Sequence, residues 1–212
     1  NPLLVGMLPY LLPVAFSSMV VMITVGPRMG AVAALMTSTF HAAMQDTGVE
    51  SLVISLAAAL MGAFFCRDVR LRGSALKAGT MAGAVAAVFA IAIGLIAGSA
   101  ITSIFNHSVA ALFTGLVTGG LVLGALPIFE RVFKVATDVT LFELTDYNHP
   151  LLRRMQVEAP GSYHHSLMVA NLAENAASAV GANPLLCRAC SLFHDIGKMK
   201  QPEYFTENQT AL

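Results

Sequence analysis

Long apolar stretches alternate with short polar ones through residue 129, and the pattern then changes. Five apolar runs stand out, at residues 3–25, 29–44, 52–66, 76–98 and 109–129. A helix needs about 20 residues to cross a bilayer, so each run predicts a membrane span, the second and third being short for one. Beyond residue 129, apolar and charged positions mix at helical spacing. Residues 166–180 read as one helix, Gly181-Ala182-Asn183-Pro184 as a turn and residues 185–194 as a second helix. The predicted fold class is all-α, a polytopic transmembrane helix bundle followed by part of an all-helical cytoplasmic domain.

The polar segments between the runs carry an orientation. Arg28 lies between the first two runs, Asp46 and Glu50 between the second and third, and Arg67, Arg70, Arg72 and Lys77 between the third and fourth. The segment 99–108 has no Lys or Arg, and Arg131 and Lys134 follow the fifth run. Basic residues on alternate loops predict that the N-terminal end lies outside and everything after Phe129 lies in the cytoplasm, in a multi-pass protein of the plasma (inner) membrane. Composition agrees with this picture: 56% of residues are hydrophobic and only 11% charged, against about 25% charged in a soluble domain. The formal net charge of zero gives no reason to expect a nucleic-acid polymer as partner.

Within the runs, Gly79/Gly83, Gly94/Gly98, Gly115/Gly119 and Gly120/Gly124 have the four-residue spacing that lets helices approach closely in lipid. Pro9 and Pro13 predict a kinked first span. His41 and His107 are read as interfacial polar residues near the outer span ends. Cys187-Arg188-Ala189-Cys190 is a CxxC with no second such pair, and its helical context makes both thiols small packing groups.

The chemistry-bearing residues come late in the chain. His194-Asp195 offers an imidazole and a carboxylate side by side. His165, 29 positions earlier (194 − 165), would come near them if the two predicted helices run antiparallel. His164 points about 100° away from His165 on a helix, so both cannot serve one site. Lys198 lies four residues after His194 and is expected on the same helical face.

The run from Ala159 to Lys198, with Tyr163-His164-His165-Ser166, the Gly-Ala-Asn-Pro turn and His194-Asp195-Ile196-Gly197-Lys198, resembles the start of an HD-domain phosphohydrolase. The segments 138–155 and 199–209, the latter with Glu207-Asn208-Gln209, extend the likeness. With membrane spans in front, it is similar to the seven-transmembrane HD receptors, the bacterial membrane cyclic-di-AMP phosphodiesterases. This resemblance implies His165, His194 and Asp195 as metal ligands, with Asp195 bridging two divalent transition metals, manganese or iron. It implies Asp195 and Lys198 as catalytic residues, with Lys198 also meeting a substrate phosphate. The implied reaction is hydrolysis of cyclic-di-AMP to linear pApA, by water that the metals activate. The implied partners are a cyclic dinucleotide and the lipid bilayer, and a homo-oligomer is left open. The alternatives are an HD phosphohydrolase acting on another cyclic dinucleotide or nucleotide, or a membrane receptor whose HD domain only binds nucleotide.

The expected organisation is a transmembrane region over 1–129, a helical connector over 130–158 and the N-terminal part of an HD domain over 159–212. The chain starts with Asn1 and enters an apolar run at once. It is therefore read as an internal piece, with its remaining metal ligands beyond Leu212 and no activity by itself.

Overall fold

The computed structural model describes residues 11–45, 48–67 and 73–209, all of its regular structure there being helical. Pro9, Asp46, Thr47, Arg70 and Arg72, which entered the sequence reading, lie outside the described residues. The chain divides into two compact units, 1–137 and 138–212.

The first unit contains α1 (Ala15–Thr24), α2 (Pro27–Met44), α3 (Val49–Phe65), α4 (Gly73–Ile96) and α5 (Ile101–Phe133). Pro13 has no N–H to continue a helix, and α1 accordingly begins just after it. Gly26 turns the chain between α1 and α2 with φ of 118°, a backbone conformation that a side chain would resist, and Pro27 starts α2. α4 and α5 are long and apolar enough to cross a membrane. The expected loop over 99–108 is mostly absent. α5 starts at Ile101, because Ile101, Ile104 and Phe105 extend its apolar pattern and the Ser108 hydroxyl bonds back to the Ile104 carbonyl at 2.8 Å. At 33 residues, α5 is about 50 Å long and exceeds the hydrocarbon core.

Glycine sets the α4–α5 contact. A Cβ on Gly79 would lie 2.5 Å from the Gly115 carbonyl oxygen, and one on Gly115 would lie 2.5 Å from the Gly79 oxygen and the Gly83 Cα. Two of the four glycine pairs therefore meet each other backbone to backbone. Gly98 instead ends α4 at φ of 64°, and Gly120 and Gly124 have nothing within 4 Å. Alanines Ala86, Ala87, Ala90 and Ala111 fill the same contact with Ile54 of α3. α1 is tied to α3 by the Ser18 hydroxyl, which donates to the Ala59 carbonyl at 3.0 Å.

Residues 130–158 do not form one rod. α5 ends at Lys134, which takes a left-handed conformation at φ of 53°. The buried Thr137 hydroxyl then donates to the Glu130 carboxylate. In the second unit, α6 (Asp138–Leu144) and α7 (Pro150–Glu158) are separated by a turn in which Asn148 N–H donates to Asp146 Oδ1. α8 (Pro160–Ala179) and α9 (Pro184–Phe193) follow. α8 begins six residues before the expected 166, since Pro160 fits the first helical position. Gly181, at φ of 71°, ends it, and the Asn183 side chain caps α9 by accepting from Leu186 N–H at 3.0 Å. Leu152, Met155, Tyr163, Ala170 and Leu192 form the core that fixes α7, α8 and α9 together.

Candidate metal centre

His165 sits in the second turn of α8, and His194-Asp195 at the end of α9. The core contact of Tyr163 and Ala170 with Leu192 holds these two places side by side. His194 is the last residue in helical conformation, and at Asp195 the chain unwinds into a 3-10 turn, Ile196–Lys200. The sequence expected His194 and Lys198 on one α-helical face. The tighter turn pairs Lys198 with Asp195 instead, at 2.8 Å.

His165, His194 and Asp195 each offer one ligand atom, and these atoms lie within 4.8 Å of one another. Asp195 Oδ2 is 3.3 Å from His194 Nε2 and 3.9 Å from His165 Nε2. His194 Nδ1 donates to the Ser191 carbonyl oxygen at 2.7 Å, which leaves the Nε2 lone pair directed at the cluster. Two imidazoles and a carboxylate suit a divalent transition metal, and the backbone bond to His194 is the support that metal-ligating histidines usually carry. The donor set therefore fits. His164 is turned away, with its ring edge-on to Tyr163.

Lys198 stands between two carboxylates. Its Nζ lies 2.8 Å from Asp195 Oδ2 and 2.7 Å from Glu207 Oε1, above the Phe205 ring at 4.7 Å. The hydrogen bonds that it donates to Asp195, then to Glu207, raise its pKa. The Lys198 hydrogen bond, a backbone bond and the Ser162 hydroxyl pull Glu207 down to about 2. Glu207 and Asn208 also cap α8: Asn208 Oδ1 accepts from Ser162 N–H at 3.0 Å and Glu207 Oε1 accepts from the Ser162 hydroxyl at 3.0 Å. A Cβ on Gly161 would collide with the Glu207 carbonyl, so only glycine lets this segment close on the helix. Sequence reasoning saw Glu207-Asn208 only as part of a resemblance. Its partners are about 45 residues away in sequence (|i−j| = 45 and 46), beyond any helical or strand period.

Glu207 thus positions Lys198. Glu207→Gln in the full-length protein is expected to lower hydrolysis by about 10–100-fold, the usual effect of removing an outer support, while leaving helix content unchanged. Because the folded pKa of Glu207 is depressed, its hold on Lys198 is complete above the ordinary 4.5 and disappears as pH falls through about 2. The Glu207 side-chain carboxylate, followed by its ¹³C chemical shift, should stay ionised from pH 7 down to pH 5. Protonation of Glu207 itself above pH 4.5 would contradict this.

The family profile for 7TM receptors with an intracellular HD hydrolase matches residues 3–137, and the HD-domain profile matches residues 162–211. The cyclic-di-AMP phosphodiesterase PgpH of Bacillus subtilis is 33% identical over 208 residues, 94% of this chain and 29% of the relative. The protein of the same name from Listeria monocytogenes is 32% identical over 207 residues, 94% of this chain and 28% of the relative. The chain thus spans under a third of the length of these relatives. No solved structure matches it significantly. HD hydrolases are metal-dependent, in keeping with the His/Asp cluster, and the apolar α4 and α5 mark a membrane protein. By these matches, and with an all-helical fold carrying its His/Asp cluster in the matched region, the chain belongs to the family of seven-transmembrane receptors with an intracellular HD hydrolase domain.

Proposed function

We propose that this chain belongs to a membrane-anchored, metal-dependent phosphodiesterase that opens cyclic-di-AMP to linear pApA. The observation that carries the reading is the convergence of His165, His194 and Asp195 from two helices, beside Lys198. Two divalent metals, manganese or iron, when bound supply Lewis acidity that activates water and stabilises charge on the phosphoryl oxygens. His165, His194 and Asp195 would be among the residues that hold them. The Ser191 carbonyl fixes the His194 tautomer, and Glu207 holds the Lys198 ammonium beside the cluster, where a substrate phosphodiester can accept from it. The retained His165, His194, Asp195 and Lys198 favour catalysis over a domain that only binds nucleotide. The names of the two relatives favour cyclic-di-AMP over another cyclic dinucleotide or a nucleotide. The test is to purify the full-length protein in detergent, add manganese or iron, and follow cleavage of cyclic-di-AMP and cyclic-di-GMP. Metal-dependent formation of pApA, faster than cleavage of cyclic-di-GMP, is expected. The reverse preference, or cleavage that survives chelation, would overturn the reading.

The lipid bilayer surrounds residues 1–129 in this reading, a multi-pass segment of the plasma membrane, with residues 130–158 as connector and 159–212 within the HD domain on the cytoplasmic side. The alternation of basic loops supports it. In a background without native Cys, an impermeant thiol reagent applied to intact cells should label Ser99→Cys and miss Lys77→Cys and Ala136→Cys. Labelling of either of the last two would refute the orientation.

A further inference from the structure

The membrane unit holds a cavity of about 200 Å³, unrelated to the metal centre. Its lining includes His41, Glu50, Ser99 and His107, which lie toward one end of the helices, and extends to Thr118. From His107 to Thr118 is 11 positions of α5 (118 − 107), or about 16 Å of helix. An engineered apolar cavity of about 150 Å³ takes up benzene, so this space is large enough for a ring with a short substituent.

Its walls divide into two parts. Ile54, Ala58, Ala86, Ala90 and Ile93 are apolar. The polar part includes the imidazoles of His41 and His107, which can donate or accept, and otherwise presents mainly acceptors. Glu50 is a carboxylate. The hydroxyls of Ser51, Ser55 and Thr118 already donate to the carbonyls of Gly48, Ser51 and Thr114, at 3.0, 2.6 and 2.6 Å, so their oxygens face the space as acceptors only. Thr114, only 9% exposed, also lines the cavity, and its hydroxyl has no hydrogen-bond partner among the described residues. A buried hydroxyl left in this state is costly unless something in the cavity pairs with it. Among the described residues no Lys or Arg lines the cavity, and the carboxylate of Glu50 opposes an anion there.

We propose that this cavity is a binding site for a small organic amine, with its ammonium or other N–H donors toward Glu50 and the hydroxyls and its apolar body between α3, α4 and α5. The site does not rest on the hydrolase reading. In the topology proposed above, the segments that carry Glu50 and Ser99 face outward, as a site for an external signal would.

The probe is 4-fluorobenzylamine, followed by ¹⁹F NMR on the protein in phosphatidylcholine nanodiscs, whose headgroups have no N–H donors. Saturable binding is expected, with 4-fluorobenzoate at least 10-fold weaker. Ala86→Leu, which fills the middle of the cavity, should abolish binding. Glu50→Gln and Thr114→Val, which change little in shape, should each weaken it several-fold, with helix content and thermal midpoint unchanged for both. Absence of saturable binding, equal binding of the benzoate, or undiminished affinity in Glu50→Gln and Thr114→Val would overturn the proposal. Should Ala86→Leu fail to fold, the two polar variants still decide.

Discussion

Replacing Asp195 with alanine is expected to lower cyclic-di-AMP hydrolysis by the full-length protein by about 10³-fold or more. Loss of an outer support of a metal ligand costs about 10–100-fold, and Asp195 stands inside the cluster itself. Both imidazoles face its Oδ2 oxygen, at 3.3 and 3.9 Å, and Lys198 is bonded to it. Without this carboxylate, the cluster that α8 and α9 supply keeps two half-exposed imidazoles beside the Lys198 ammonium and loses its only anionic ligand. The protein should still fold and insert. Asp195 lies at a turn outside the Leu152–Met155–Tyr163–Ala170–Leu192 core, and its ion pairs are partly open to solvent. Single-turnover cleavage and circular dichroism on the same preparation separate the two effects. Activity within 10-fold of the native protein would remove Asp195 from the site.

Gly115→Leu is expected to be the most damaging single change in the membrane unit. The new Cβ would stand 2.5 Å from the Gly79 oxygen and the Gly83 Cα, backbone atoms with no rotamer to yield. α4 and α5 must then separate, and the alanine contacts along them loosen. Inserted bulk in a packed core costs about 1–3 kcal/mol, and backbone against backbone lies at the upper end or beyond. Gly120→Leu, five residues on, meets nothing within 4 Å and should leave stability unchanged. Thermal unfolding of the two variants in detergent makes the comparison. Equal midpoints would mean that the close helix approach contributes nothing.

The pattern of glycines shows where sequence reading succeeds and where it stops. Four spaced pairs are visible in the chain, but spacing alone does not say which pair meets which. The pairing of 79/83 with 115/119 depends on the facing of two helices joined by a short turn. Helix ends behaved similarly. Asn183-Pro184 declared the start of α9, because a capping side chain and a proline at the first position act locally. Pro160 carried the same signal for α8, but the polar Gly161-Ser162 after it masked the helix until Glu207 and Asn208, distant in sequence, were seen to cap it. His165 and His194-Asp195 were legible since two helices and a tight turn bring them together. Lys198 was placed on the wrong kind of turn, because nothing in Ile196-Gly197 announces that α9 unwinds at His194. The membrane cavity left no trace in the linear pattern, its lining being drawn from five helices.

The central claim is that His165, His194 and Asp195 together hold a metal. Manganese binding to the purified full-length protein, counted by electron paramagnetic resonance beside His165→Ala and Asp195→Ala, tests it directly. The native protein is expected to bind the metal saturably, and each variant to lose at least one equivalent and to weaken what remains. Equal stoichiometry and affinity in all three proteins would contradict the claim.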